Sequence, residues 1–143
     1  MRIIFHIDVN SAFLSWESVY RLRRDPSALD LRTVPSIVGG DQKTRHGVVL
    51  AKSTPARAFG IVTGEPVAQA LKKCPKLLCV PSRFDVYTEY SRRLIHLLEE
   101  YTPDIEKFII DEAFLDMTGT IHRFGEPGET ARRIRERVKQ ELG

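Results

Sequence analysis

This sequence is poor in the residues that build covalent or metal-stapled scaffolds. It holds two cysteines, Cys74 and Cys79 in "CPKLLCV", and only four histidines in 143 residues. No third Cys or His stands at ligand spacing beside that pair, which excludes the familiar zinc modules, and no redox role is assigned. Both thiols are expected to be buried as small apolar side chains. An excess of one charge is lacking too: 22 Lys and Arg face 19 Asp and Glu, so the balance permits a polyanionic partner without demanding one. Long apolar runs are absent. The opening "MRIIFHIDVN" carries one basic residue and is interrupted by His6 and Asp8, so it reads neither as a signal peptide nor as a membrane span. A cytoplasmic protein with no membrane partner is expected. Repeats and low-complexity segments are missing as well.

What remains is ordinary globular material, 42% hydrophobic and 29% charged, and enough chain for one domain with a real core. "RIIFHID" is a short run of strand formers ending in an acid. "NSAFLSWESVYRLRR" follows as a helix that Asn10 or Ser11 can cap and Pro26 stops, with Phe13, Trp16, Val19 and Tyr20 along one face. "TVPSIVGG" and "HGVVLAKS" read as a strand pair joined by a long, flexible, polar connection. Two short helical pieces are punctuated by Gly60 and Gly64, the second opened by Pro66, and "LLCVPS" is a further strand. Tyr87, Tyr90, Leu94, Leu97, Leu98 and Tyr101 form a helical stripe; "DIEKFII" and "AFLDMTG" are strands flanking Asp111 and Glu112. The last helix places Ala131, Ile134, Val138 and Leu142 on one side.

This order predicts an α+β fold: a ferredoxin-like βαββα unit with its last strand missing and a small α/β subdomain inserted. In such a unit the first strand lies beside the hairpin, so Asp8, Asp111 and Glu112 are expected to converge at one end of a sheet. Like charges gathered there raise one another's pKa unless a cation intervenes. Oxygen ligands without His or Cys select Mg²⁺ or Mn²⁺, and a pair of such ions can clamp a phosphoryl group for in-line attack. The spacing alone serves equally for a solvated acidic turn, since turns favour Asp, and for Asp8 as a strand-end or helix-capping acid.

Four blocks, "HIDVNSAFLSWE", "AKSTPARAFGIVTGEP", "VPSRFDVYTEYSRRL" and "IIDEAFLDMT", occur in the order and approximate separations found in another group of proteins. On these blocks the chain resembles the Y-family translesion DNA polymerases of the DNA polymerase IV and ImpB/MucB/SamB type. The resemblance covers essentially the whole chain. It implies a polymerase palm in residues 1–30 and 102–143 and a fingers subdomain with its connecting helix in 31–101. It implies that Asp8, Asp111 and Glu112, with the Val9 carbonyl, hold two Mg²⁺ ions, for which Mn²⁺ can substitute. The primer 3′-hydroxyl then attacks the α-phosphate of an incoming deoxynucleotide. Phe13 matches the steric gate against ribose. Arg57 matches a triphosphate-binding arginine, and Thr54 stands where many members carry a tyrosine with the same contact. The small residues of "STPARAFG" imply an open pocket and weak geometric checking of the base pair.

Lys43 and Arg45 in the preceding loop are candidate contacts to template backbone, with a plain solvated loop as the competing reading. The expected partners are primer–template DNA and a deoxynucleoside triphosphate, with a sliding clamp reached through a C-terminal part not in this sequence. Thumb, little finger and last palm strand are absent, so the chain is expected to be an inactive N-terminal fragment whose open strand edge invites a homodimer. Two alternatives stand beside this reading. One is a catalytically inactive nucleotide- or DNA-binding module on a palm fold; the other is a palm-type nucleotidyl cyclase, which has no use for the "ARAFGI" block.

Overall fold

The structure, a computed structural model, describes residues 1–39 and 47–143. The described chain forms two compact units, one of Met1–Val9 with Tyr87–Gly143 and the other of Asn10–Val86. These units cut the chain elsewhere than 1–30, 31–101 and 102–143, because packing rather than chain order sets them.

The first unit is built on an antiparallel sheet. Its strands are β1 (Ile4–Asp8), β5 (Ile105–Ile109) and β6 (Glu112–Asp116), in the order β1-β6-β5. The period of two divides the strands: Phe5, Ala113 and Leu115 turn inward, while Ile4, His6 and Phe114 stand on the other face. Helix α4 (Phe84–Leu98), most of which lies in this unit, supplies Leu94, Leu97 and Leu98. Helix α5 (Pro127–Leu142) supplies Ile134 and Leu142, and Met117 completes the core. Each such side chain removed from water contributes about 1.5–3 kcal/mol. The stripe expected from sequence holds, with Tyr87 and Tyr90 buried and Tyr101 partly so.

Polar groups brought inside are bonded. Thr102 Oγ1 donates to the Asp116 carbonyl at 2.8 Å and accepts from the Asp104 amide at 3.1 Å, fixing the chain where it enters β5. At the start of α5 the Glu126 carboxylate accepts from the amides of Gly128 and Glu129 at 3.0 and 2.8 Å, and Pro127 gives up no needed donor in the first turn.

The second unit has its own three-stranded sheet, in the order β3-β2-β4: β2 (Ser36–Gly39) pairs antiparallel with β3 (Val49–Lys52) and parallel with β4 (Leu78–Pro81). A parallel neighbour needs a crossover, provided by β3, α2 (Thr54–Ala58) and α3 (Val67–Lys73). Ile37, Val49, Ala56, Ile61, Val67, Ala70, Cys74 and Leu77 form its core. Cys74 is buried as expected, but Cys79 is only partly so, because β4 keeps one residue of its four inside.

Helix α1 (Ala12–Arg24) belongs to this unit and packs against β2 and β3. It ends before Pro26, yet its start departs from expectation. Ser11 occupies the capping position in a left-handed conformation (φ 47°) and makes no side-chain cap. Its buried face also differs, for Leu14 is inside while Phe13 and Tyr20 are half-buried. Glu17 is 0% exposed, its carboxylate paired with Arg21 at 2.9 Å and Arg83 at 3.2 Å. That burial is possible because two guanidiniums offset the lost hydration.

One side chain ties the second sheet to α2. Ser53 Oγ donates to the Val34 carbonyl at 2.8 Å and accepts from the amides of Ser36 at 3.0 Å and Ala56 at 3.1 Å. It thus caps α2 and closes the entry to β2 together.

Candidate active site

The sheet of the first unit brings the three candidate acids to one end. Asp8, the last residue of β1, is the cross-strand partner of Glu112, the first residue of β6. Asp111 sits in the two-residue turn that joins β5 to β6, and its carbonyl accepts from the Val9 amide at 3.0 Å. Two apolar strands must be joined there, and alternation leaves Asp8 and Glu112 on the face away from Phe5 and Leu115.

The environments of the acids differ. Asp8 is exposed, while Asp111 and Glu112 are partly buried. Burial pushes the Asp111 carboxyl above the usual carboxylate range; its own amide opposes the shift, and the charges of Asp8 and Glu112 add to it. Backbone convergence is therefore as the sequence predicted, but full convergence of the side chains is not. Among the described residues no group of three His, Cys, Asp or Glu is gathered closely enough to hold a metal ion. As a donor set, three carboxylates and the Val9 carbonyl fit magnesium or manganese. At Asp111 burial, and to a smaller degree the charges of Asp8 and Glu112, disfavour the ionised carboxylate, which a divalent cation would favour.

Two residues that the sequence reading did not assign to the site stand beside these acids. His6 Nε2 lies 3.5 Å from Glu112 Oε2. The His6 ring stacks on Phe114, with centroids 4.5 Å apart and planes inclined by 10°, and Phe108 meets Phe114 edge-on at 6.2 Å. The signal was present in the period of two: His6 precedes Asp8 by two positions and Phe114 follows Glu112 by two.

The remaining candidates lie in the second unit. Phe13 is half-buried on α1, with its ring tilted on Trp16 at 6.4 Å and edge-on to Phe84 at 5.6 Å. Thr54 and Arg57 are both exposed and stand one turn apart on α2, directly after the Ser53 cap. Lys43 and Arg45, with the connection that carries them, lie outside the described residues.

Comparison with known proteins bears on this arrangement. The profile of the impB/mucB/samB family matches residues 7–143. The DNA polymerase IV of Clostridium acetobutylicum is 54% identical over 142 residues, which is 99% of this chain and 35% of that protein. DNA polymerase IV 1 of Bacillus subtilis is 43% identical over 99% of this chain and 32% of its own length. The chain thus spans about a third of the curated relatives it matches. Among solved structures, a Y-family DNA polymerase chimera of Dbh and Dpo4 superposes with a TM-score of 0.83 at 28% identity, covering 99% of this chain and 40% of that one. DinB from Sulfolobus solfataricus does so with a TM-score of 0.80 at 29% identity, covering 99% of this chain and 39% of its own.

Proposed function

The chain belongs to the impB/mucB/samB family of Y-family polymerases, and from that premise we propose that it carries the metal-binding acids of a translesion DNA polymerase. The observation that carries this reading is the register of β1 against β6, which sets Asp8 beside Glu112 and ties the Asp111 backbone to Val9. Asp8, Asp111, Glu112 and the Val9 carbonyl would hold two Mg²⁺ ions. When bound, these ions supply charge neutralisation for transfer of a deoxynucleotide to a primer 3′-hydroxyl.

The chain's own residues do the rest. Phe13, whose ring packs on Trp16 and Phe84, would act as the steric gate that admits a deoxyribose and rejects a 2′-hydroxyl. Arg57 offers a guanidinium fork to the triphosphate and Thr54 a hydroxyl with shorter reach. Lys43 and Arg45 are candidate contacts to template phosphates, beside the plain solvated loop that competes with that reading. Residues 1–30 and 102–143 are read as palm, and 31–101 as fingers with a connecting helix. The partners of this reading are primer–template DNA, a deoxynucleotide and, for the longer protein, a sliding clamp in the cytoplasm. One neighbour in the structural comparison is itself an "insertion ternary complex" of a Dbh DNA polymerase.

These 143 residues alone are read as inactive. Since β1 is an edge strand of its sheet, they should also pair as dimers, which light scattering tests. A second reading is a catalytically inactive nucleotide- or DNA-binding module with the same palm fold, against which the retained Asp8, Asp111 and Glu112 argue. Calorimetry with Mn²⁺ and a deoxynucleoside triphosphate separates the two. Metal-dependent nucleotide binding that Asp111→Ala removes supports the polymerase site, and binding indifferent to both metal and Asp111→Ala supports the module.

A further inference from the structure

We propose that His6 is a positioning residue for Glu112: clamped by Phe114, its imidazole orients the carboxylate toward the end of the sheet. The inference rests on the metal-binding reading of Asp8, Asp111 and Glu112 given above.

Register puts the parts together. His6 faces Phe114 across the β1–β6 ladder, and Asp8 faces Glu112. His6 is therefore the diagonal neighbour of Glu112 on the same face, near enough for a long side chain to bridge. Nε2 of His6 and Oε2 of Glu112 are 3.5 Å apart, a contact that a small rotation of the carboxylate closes to a hydrogen bond.

The ring is held independently of that contact. It lies flat on Phe114, whose ring Phe108 in turn meets edge-on. The tautomer of the imidazole that carries its hydrogen on Nε2 supplies the donor this contact needs. His6 itself is 48% exposed against 24% for Glu112, so its side chain adds little to the core while the carboxylate beside it is constrained. A carboxylate that ligates a cation through one oxygen is commonly oriented by a donor on the other, and loss of such a donor costs about 10–100-fold in metal affinity or activity.

The test uses the complete gene product and Mn²⁺ alone, with free ion followed by electron paramagnetic resonance. His6→Phe keeps the ring stack and removes the donor. It should leave circular dichroism and Tm unchanged, raise the Mn²⁺ Kd about tenfold or more, and lower kcat of nucleotide incorporation at unchanged nucleotide KM. His6→Gln, which restores an N–H, should recover part of the affinity. An unchanged Kd for His6→Phe, where Asp8→Ala weakens binding, would overturn the role of His6 and spare the metal site. Unchanged Kd in both variants would overturn the metal reading, and this proposal with it.

Discussion

Ser53→Ala removes one hydroxyl that serves three backbone groups. In the folded chain that oxygen donates to Val34 and accepts from Ser36 and Ala56, and Ser53 is 2% exposed, so water cannot readily take its place. Losing the helix cap costs about 1 kcal/mol. A buried amide and a half-buried carbonyl left without partners cost up to about 1–3 kcal/mol each, so the sum is about 3–7 kcal/mol before the strand end relaxes. For a chain of this length roughly 3 °C of Tm accompanies each kcal/mol, and a fall of about 10–20 °C is expected. Urea or thermal unfolding followed through Trp16, the one tryptophan, which is buried in the same unit, reads this directly. Thr54→Ala, at the exposed next position, is the control and should stay within about 0.5 kcal/mol. A Tm change below about 2 °C for Ser53→Ala would refute the view that this hydroxyl joins α2 to the sheet.

Other variants probe the proposed roles in the complete gene product. Arg57→Ala should raise the nucleotide KM roughly tenfold or more, as expected for a lost charge-assisted bond, with the unfolding midpoint unmoved; an unchanged KM removes Arg57 from the triphosphate. Phe13→Ala should admit ribonucleotides roughly tenfold or more readily relative to deoxynucleotides, and equal discrimination in the two proteins would leave Phe13 as a packing residue. Glu126 gives a pH prediction. Bonds from the Gly128 and Glu129 amides hold its carboxyl below the usual range. The folded-state pKa is thus lower than the unfolded one, so the cap's contribution is complete above the unfolded value and is lost as pH falls through the folded one. The protection of the amides in the first turns of α5, measured against their intrinsic exchange rate at each pH, should fall on acidification more than in Glu126→Gln, where an equal fall would deny the cap its role.

Much of this fold was legible because its strands and helices keep their periods. β6, β3 and the α4 stripe show alternation or a helical face, and β1 and β2 read as short runs of strand formers, in the sequence itself. What escaped depended on partners distant in the chain. Glu17 reads as a solvated helix acid until Arg83 is brought beside it. Phe13 and Trp16 suggest one buried face for α1, whereas packing on β2 and β3 turns Leu14 inward. The parallel pairing of β4 with β2 is a crossover that no local pattern announces.

The site divides the same way. Placing Asp8 opposite Glu112 needs only a period of two and a hairpin. The distances among the side chains, and the seat of His6 on Phe114, depend on the register. The shift between Lys107 and Ile109 in β5 further decides where Phe108 falls.

The central claim, that Asp8, Asp111 and Glu112 serve a damage-tolerant DNA polymerase, meets its most direct test in primer extension with Mg²⁺. The complete gene product would be run beside its Asp8→Ala variant on intact and abasic templates. The account predicts incorporation on both templates, abolished by Asp8→Ala. Incorporation that survives Asp8→Ala, or none by the unaltered protein, would contradict it.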